Sequence, residues 1–193
     1  MANNSTLTDL LGEEIKDLYS AEKQLTKAIP KMAKGSSDPA LRDALTAHLQ
    51  ETQEQVRRLE QVGELLGIKV TGKKCVGMEG LIEEGAEALN EEGDEAVLDL
   101  AIIAAGNRVE HYEMAGYMTA ISLARQMASS DVVRLLQQTL AEEEHAEKKL
   151  RQIASGLLKN APREEAAGNS PRKPKSPVSD RRQELAHGRL PRR

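Results

Sequence analysis

The sequence predicts an all-α protein built around a bundle of four long helices. Apolar residues recur at spacings of three and four along four long stretches, which is the period of an amphipathic helix. The 193 residues include no Phe, no Trp and only three Tyr. The core must therefore consist of Leu, Ile, Val, Ala and Met, a composition that suits closely spaced helices better than a sheet.

The first two helices, A and B, are predicted to form a hairpin. Helix A runs from about Thr6, which can cap it, to about Lys34, where a glycine follows. Helix B begins at Ser37-Asp38-Pro39, a cap followed by a proline in the first turn. It ends at Gly67. The short A–B connection makes the two helices antiparallel neighbours.

The segment between Gly67 and about Gly93 is the long B–C crossover. It contains the sequence MEGLIEEGAEAL, which is predicted to form a short amphipathic helix. A connection of this length exceeds what a tight turn needs and is long enough to cross the bundle.

Helices C and D form a second predicted hairpin. Helix C runs from about Asp94 to Met127, and helix D runs from the break at Ser129-Ser130-Asp131 to about Lys159. Two short connections and one long crossover are typical of a ferritin-like four-helix bundle. Two helical hairpins that pair only on dimerisation are the alternative.

The C-terminal segment is predicted to lie outside this domain. We expect a bundle over residues 1–159 and a disordered tail over residues 160–193, which is rich in Pro, Ser and Arg. From Ala161 onward nine Lys or Arg stand against four acids, whereas the whole chain has a net charge of -4. Such a tail can make weak contact with nucleic-acid phosphates, although it lacks aromatic residues for base stacking. A purely solubilising tail is the alternative.

Each of the four apolar stripes is interrupted by acids near its middle. The interrupting residues are Glu22 in helix A, His48 and Glu51 in helix B, Glu110 and Glu113 in helix C, and Glu143 and Glu147 in helix D. Residues three or four apart lie on one face of a helix. A carboxylate that faces an apolar bundle is costly unless it is paired, and a metal cation can pair several at once.

Distances along the helices place these groups at one level. Glu22 lies 13 residues before Gly35 and His48 lies 13 residues after it. At about 1.5 Å per residue, both sit roughly 20 Å from the A–B turn. The acids of helices C and D likewise lie at similar distances from the C–D turn. The pattern predicts a metal site of two ions, iron or manganese, or less specifically zinc.

Other interpretations of the acids remain open. Glutamate is a good helix former, so a solvated face would explain any one of them. On helix D, Glu142 and His145 have the E-x-x-H spacing of di-iron bundles, although the apolar phase favours Glu143. Arginines 57, 58 and 108 could pair the acids in a purely structural bundle, but they lie off the inward stripes.

Five segments carry a resemblance to a known family. They are DLYSAEKQLTKAIPKM, HLQETQEQVRRLEQV, KKCVGMEGLIEEG, NRVEHYEMAGY and LLQQTLAEEEHAEKKL. The chain resembles the YciF/YciE-type family of bacterial stress proteins, in the ferritin-like superfamily. The resemblance implies a four-helix bundle with a dinuclear metal centre and a role in stress responses. The metal residues it implies are Glu22, His48, Glu51, Glu110, Glu113, Glu143 and Glu147.

The sequence and the resemblance together favour a redox-active di-metal protein. Such a centre would act on peroxide, O2 or ferrous iron under oxidative stress, as a peroxidase-like or ferroxidase-like enzyme. The catalytic residues are not fixed by the sequence. Tyr19 and Tyr117 lie one helical turn from Glu22 and Glu113, and are candidates to donate a hydrogen bond or an electron; core packing is the alternative. The alternative function is a non-enzymatic stress protein that binds nucleic acid or a protein partner.

The remaining expectations concern location and assembly. Cys75 is the only cysteine, so no intramolecular disulfide can form. Lys73 and Lys74 beside it could lower its pKa, but a lone cysteine in a crossover is more often incidental, which is the favoured interpretation. No stretch approaches the roughly 18 apolar residues of a membrane span, and the N-terminus lacks the pattern of a signal peptide. We expect a cytoplasmic protein that forms a homodimer.

Overall fold

Five α-helices form the regular structure of residues 6–127 and 129–162, the part of the chain that a computed structural model describes. They are α1 (Leu7–Gly35), α2 (Pro39–Leu66), α3 (Val76–Ala88), α4 (Glu95–Gln126) and α5 (Ser130–Asn160). Helices α1, α2, α4 and α5 are the predicted helices A to D, and α3 is the short helix of the crossover. The predicted all-α bundle is confirmed.

The two predicted hairpins are present and pack side by side. Helix α1 packs on α2, and α4 packs on α5, while α1 also meets α4 and α2 also meets α5. Helix α3 lies against α4 and α1. The predicted tail falls largely outside the described residues, which end at Pro162.

Local sequence signals set the helix boundaries. Thr6 and Asp9 form a reciprocal capping box at the start of α1. Asp38 accepts a hydrogen bond from the backbone N–H of Leu41 at 2.9 Å, and so caps α2. Helix α2 ends at Gly67, whose φ of 65° is the left-handed conformation that glycine adopts without a steric penalty.

A buried aspartate on α4 fixes the α1–α2 turn against the second hairpin. Asp99 accepts hydrogen bonds from the backbone N–H groups of Ser37 and Asp38, at 2.9 and 2.7 Å. Its side chain is buried. Because the turn is held at this point of α4, the middles of the two hairpins lie at the same level.

The apolar core consists of two clusters. The distal cluster, far from the α1–α2 turn, includes Leu11, Ile15, Leu18, Leu59, Val62, Tyr117, Ala120, Ile121, Val132 and Leu136. The proximal cluster, nearer that turn, includes Ala21, Leu25, Ile29, Leu41, Leu45, Ile102, Ile103, Val109 and Leu150. On α2, α4 and α5 the acids of interest fall between the two clusters, and on α1 Glu22 lies beside Ala21, at the edge of the proximal cluster. The polar residues therefore form a layer across the middle of the bundle.

The start of α3 is held on α1 by Cys75. Its Sγ accepts the backbone N–H of Met78 at 3.4 Å and donates to Asp17 Oδ2 at 2.9 Å. The Tyr112 hydroxyl also donates to Asp17 Oδ2, at 2.9 Å. Burial, together with the hydrogen bond to Asp17, raises the pKa of Cys75, so the neighbouring lysines do not make it a low-pKa thiol.

Candidate metal centre

Four buried side chains from three helices form one compact group. They are His48 of α2, Glu110 and Glu113 of α4, and Glu143 of α5. One potential ligand atom from each lies within 4.8 Å of all the others. His48 Nε2 is 3.3 Å from an oxygen of Glu110 and 3.9 Å from an oxygen of Glu143. This is an arrangement in which one cation can contact all four side chains.

Helix α1 contributes Glu22 to the same layer. Glu22 is fully buried, and its Oε1 accepts a hydrogen bond of 2.5 Å from the hydroxyl of Tyr117. Its carboxylate interacts electrostatically with Glu143 and with His48. All four long helices therefore place an acid or an imidazole in this layer.

Most of the polar atoms in this layer lack a hydrogen-bond partner. They are both nitrogens of His48, both oxygens of Glu113 and of Glu143, and one oxygen each of Glu22 and Glu110. Buried polar atoms in folded proteins are nearly always paired, so this concentration needs an explanation. A bound cation supplies one, because it satisfies carboxylate oxygens and an imidazole nitrogen together.

The raised pKa values of the buried glutamates also favour a bound cation in this layer. Burial, followed by the neighbouring carboxylates, raises the pKa of Glu22 and Glu113 well above the usual range. Burial raises the pKa of Glu143 in the same way and brings that of Glu110 to about 8. At neutral pH the protein without metal therefore holds protons here, which a cation must displace.

His48 is subject to opposing effects. Burial lowers the pKa of its imidazole, but Glu51, Glu143 and Glu22 together outweigh burial, so the pKa is raised. The imidazole is flanked on both sides, since its Nδ1 lies 3.5 Å from Glu51 Oε2 and its Nε2 faces the buried acids. Helix α2 carries His48-x-x-Glu51, the reverse of the E-x-x-H order of di-iron bundles, and this order places the histidine inside and the glutamate towards the surface.

Glu51, Glu147 and Tyr19 lie at the edge of the layer or outside it. The side chain of Glu51 is 42% exposed, and Glu147 accepts a hydrogen bond from Arg151 at 2.9 Å. Tyr117 contacts Glu22, whereas Tyr19 donates to Glu60 at 3.0 Å on the exposed surface between α1 and α2. Of the two candidate tyrosines, only Tyr117 reaches a residue of the centre.

The contacts of Glu142, Glu143 and His145 decide which of these α5 residues belongs to the buried group. Glu143 is fully buried, as the phase of its apolar stripe predicts. Glu142 instead accepts two hydrogen bonds from Arg58, at 2.8 and 2.9 Å, and His145 is exposed. Arg58 is buried, although the stripe of α2 places it off the inward face. That expectation is wrong because α2 packs against both α1 and α5, which widens its buried face.

Comparison with known proteins places the chain in a family. Residues 6–162 match a family model described as a domain of unknown function (DUF892). The chain belongs to this family. It is 43% identical over 153 residues to Protein YciF of Escherichia coli K12, which covers 79% of this chain and 92% of that protein.

Two solved structures that resemble this chain agree with the bundle. The crystal structure of the E. coli stress protein YciF has a TM-score of 0.79 and 41% identity, covering 81% of this chain and 99% of the other. YcfI from Rhodopseudomonas palustris has a TM-score of 0.75 and 44% identity, and the match covers 77% of this chain and 95% of the other. The YciF-type resemblance is therefore confirmed.

A more distant structure supports the fold alone. A two-domain protein from Anabaena variabilis, with DJ-1/ThiJ/PfpI-like and ferritin-like domains, has a TM-score of 0.54 at 12% identity. The match covers 91% of this chain and 42% of that protein. The predicted ferritin-like fold is thereby confirmed. Within the described residues, no helix combines the length and apolarity that crossing a membrane requires.

Proposed function

We propose that this protein is a stress-response protein with a carboxylate-bridged pair of iron or manganese ions, acting on peroxide, O2 or ferrous iron. The observation that carries the proposal is the buried group of His48, Glu110, Glu113 and Glu143. The stress role is supported by the relative YciF, which is described as a stress protein.

The residue types favour iron or manganese over other ions. Four carboxylates and one imidazole form an oxygen-rich donor set, which suits these metals and zinc less specifically. His48, Glu110, Glu113 and Glu143 would hold one ion, and Glu22, in the same layer, would help to hold a second. Glu51 and Glu147 lie outside this core and are proposed as outer ligands or as residues on the entry path of the metal.

The chemistry divides between the ions and the chain. Bound redox-active ions would supply the electrons for reactions of oxygen species. The chain contributes the buried layer between the core clusters, in which charges interact more strongly than in water. Tyr117 holds one oxygen of Glu22 and so fixes the direction of that carboxylate.

The proposal is tested by a double substitution. Glu22→Ala with Glu113→Ala should remove bound metal, measured by elemental analysis of protein purified without chelator, from about two equivalents to well below one. The same protein should lose ferrous oxidation and peroxide consumption while its helical circular dichroism is kept.

The matched control is Glu64→Ala with Glu144→Ala, because both of these glutamates are exposed on the same bundle. The control should keep its metal and its turnover. Full metal occupancy in the Glu22 and Glu113 variant would refute the site assignment. A wild-type protein that binds metal yet reacts with none of the three substrates would refute the redox function.

The cytoplasmic homodimer and the nucleic-acid contact of the tail stay predictions. The alternative function, a non-enzymatic stress protein that binds nucleic acid or a protein partner, rests on the composition of residues 163–193, which lie outside the described part.

A further inference from the structure

An apolar cavity of about 280 Å³ occupies the proximal half of the bundle, beside the candidate metal centre. All five helices contribute to its walls. The walls are mainly aliphatic, and include Leu25, Ile29, Leu45, Ile82, Ile102 and Leu150. Protein interiors are close-packed, so a cavity of this size beside a polar layer is a feature that needs an occupant or a role.

One end of the cavity reaches the candidate metal centre at His48 and Glu110. His48 and Glu110 line the cavity and also belong to the buried group of four. Both side chains are more than nine-tenths buried, and both carry atoms without a hydrogen-bond partner. A molecule in the cavity would therefore lie next to unsatisfied polar atoms at one end and aliphatic side chains elsewhere.

The cavity opens to solvent between α2 and α5. The exposed residues of its lining are Ala47, His145 and Lys149. Alanines at positions 44, 47 and 146 keep this edge open, because their side chains are small. Lys149 takes part in none of the ion pairs among the described residues. Glu51 also lies at the opening, but its carboxylate already faces His48 at 3.5 Å. The opening therefore offers an unpaired positive charge.

Size and chemistry together specify an occupant. An apolar cavity of about 150 Å³ holds benzene, so one nearly twice as large holds about a dozen non-hydrogen atoms. We propose that the cavity binds a medium-chain carboxylate of roughly the size of decanoate. The alkyl chain lies among the aliphatic side chains, and the carboxylate lies at the opening beside Lys149. This site does not depend on which metal, if any, occupies the adjacent centre.

Calorimetric titration of the full-length protein with decanoate tests the proposal, with metal and without it. Each buried methylene group favours binding about fourfold. Butanoate should therefore bind at least about a hundredfold more weakly than decanoate. In spectra of protein labelled at the methionine methyl groups, the Met32 signal should shift because Met32 lines the cavity. The signal of Met118, which is exposed and not in the lining, should stay in place.

Two pairs of variants test where the alkyl chain and the carboxylate of decanoate bind. Ala44→Leu fills the cavity and should weaken decanoate binding at least about tenfold, whereas Ala40→Leu, exposed on the same helix, should not. Lys149→Met should weaken binding about threefold, the size of an exposed ion pair, and Lys148→Met should have no effect.

Three results would overturn the proposal. One is the lack of saturable decanoate binding to the wild-type protein, with or without metal. Another is unchanged affinity in a folded Ala44→Leu variant, and a stationary Met32 signal decides the same point if that variant does not fold. Equal affinities for decanoate and 1-decanol would overturn the assignment of the carboxylate. Because binding is measured without metal as well, these results are independent of the proposed redox function.

Discussion

Tyr117 is the residue through which α4 holds the acid of α1. Its ring is fully buried in the distal cluster, and its hydroxyl donates to Glu22 at 2.5 Å. Burial and the surrounding carboxylates raise the pKa of this hydroxyl, so it stays protonated and remains a donor. One side chain therefore serves both the apolar core and the polar layer.

Replacing Tyr117 by Phe should separate these two roles. Tyr117→Phe keeps the ring but leaves an oxygen of Glu22 unpaired, which should lower the free energy of unfolding by about 1–3 kcal/mol. The affinity for iron or manganese should fall roughly tenfold, because the carboxylate loses its fixed direction. Urea unfolding of metal-free protein and calorimetric metal titration measure the two effects.

Tyr19→Phe is the control, since the Tyr19 hydroxyl pairs with Glu60 at the surface. It should change stability by less than about 1 kcal/mol and leave metal affinity unchanged. Equal effects of the two substitutions would show that Tyr117 acts only through packing.

Asp99 acts between elements, because it ties the α1–α2 turn to α4. Asp99→Ala removes the acceptor of two backbone N–H groups at the turn. The expected loss of stability is about 3 kcal/mol, read from the midpoint of urea unfolding. Metal affinity should also fall, because Glu22 and His48 would no longer be held level with the acids of α4.

Asp43→Ala, an exposed position on α2, provides the comparison and should change neither quantity. If Asp99→Ala lowers stability but leaves metal affinity intact, the turn does not set the alignment of the hairpins.

Features set by position along one helix can be predicted from the sequence, whereas features set by packing between helices cannot. Helical period and distance from a turn predict Glu22, His48 and Glu143 as inward and level, because both depend only on position along one helix. The role of Asp99 depends on the packing of one hairpin on the other, which no single stripe encodes. The cavity likewise arises from small side chains on five helices. Arg58 was missed because α2 has two packing partners.

At the scale of the molecule, the buried acids couple stability to pH. Without metal, the folded protein keeps protons on carboxyls such as Glu110, whose pKa is about 8, while the unfolded chain releases them near pH 4.5. The unfolded state then binds fewer protons, so the free energy of unfolding should fall as pH rises from about 5 to 8. His48, with its raised pKa, acts in the same direction.

The expected slope is up to about 1.4 kcal/mol per pH unit for each group that must lose its proton. Urea unfolding with chelator, at several values between pH 5 and 8, measures it. With Mn²⁺ present the fall should flatten or reverse, because metal binding replaces the protons and strengthens as pH rises. Parallel pH profiles with chelator and with Mn²⁺ would contradict a metal site in this layer.

Truncation after Pro162 separates the bundle from the tail. It removes nine Lys or Arg and four acids but none of the proposed ligands. We expect the truncated protein to keep its metal and its rate of ferrous oxidation or peroxide consumption. Retention of the full-length protein on DNA at low salt, lost on truncation, would instead favour the alternative function in nucleic-acid binding.

The division of the core into two apolar clusters affects how the protein unfolds. A cation held by α2, α4 and α5 would act as a cross-link at the boundary between the clusters and make the bundle one cooperative unit. Without it, the half that contains the cavity has fewer packed atoms and can open locally while the distal half stays folded. Metal supply would then govern turnover of the protein in the cell, because proteases cut locally opened chains.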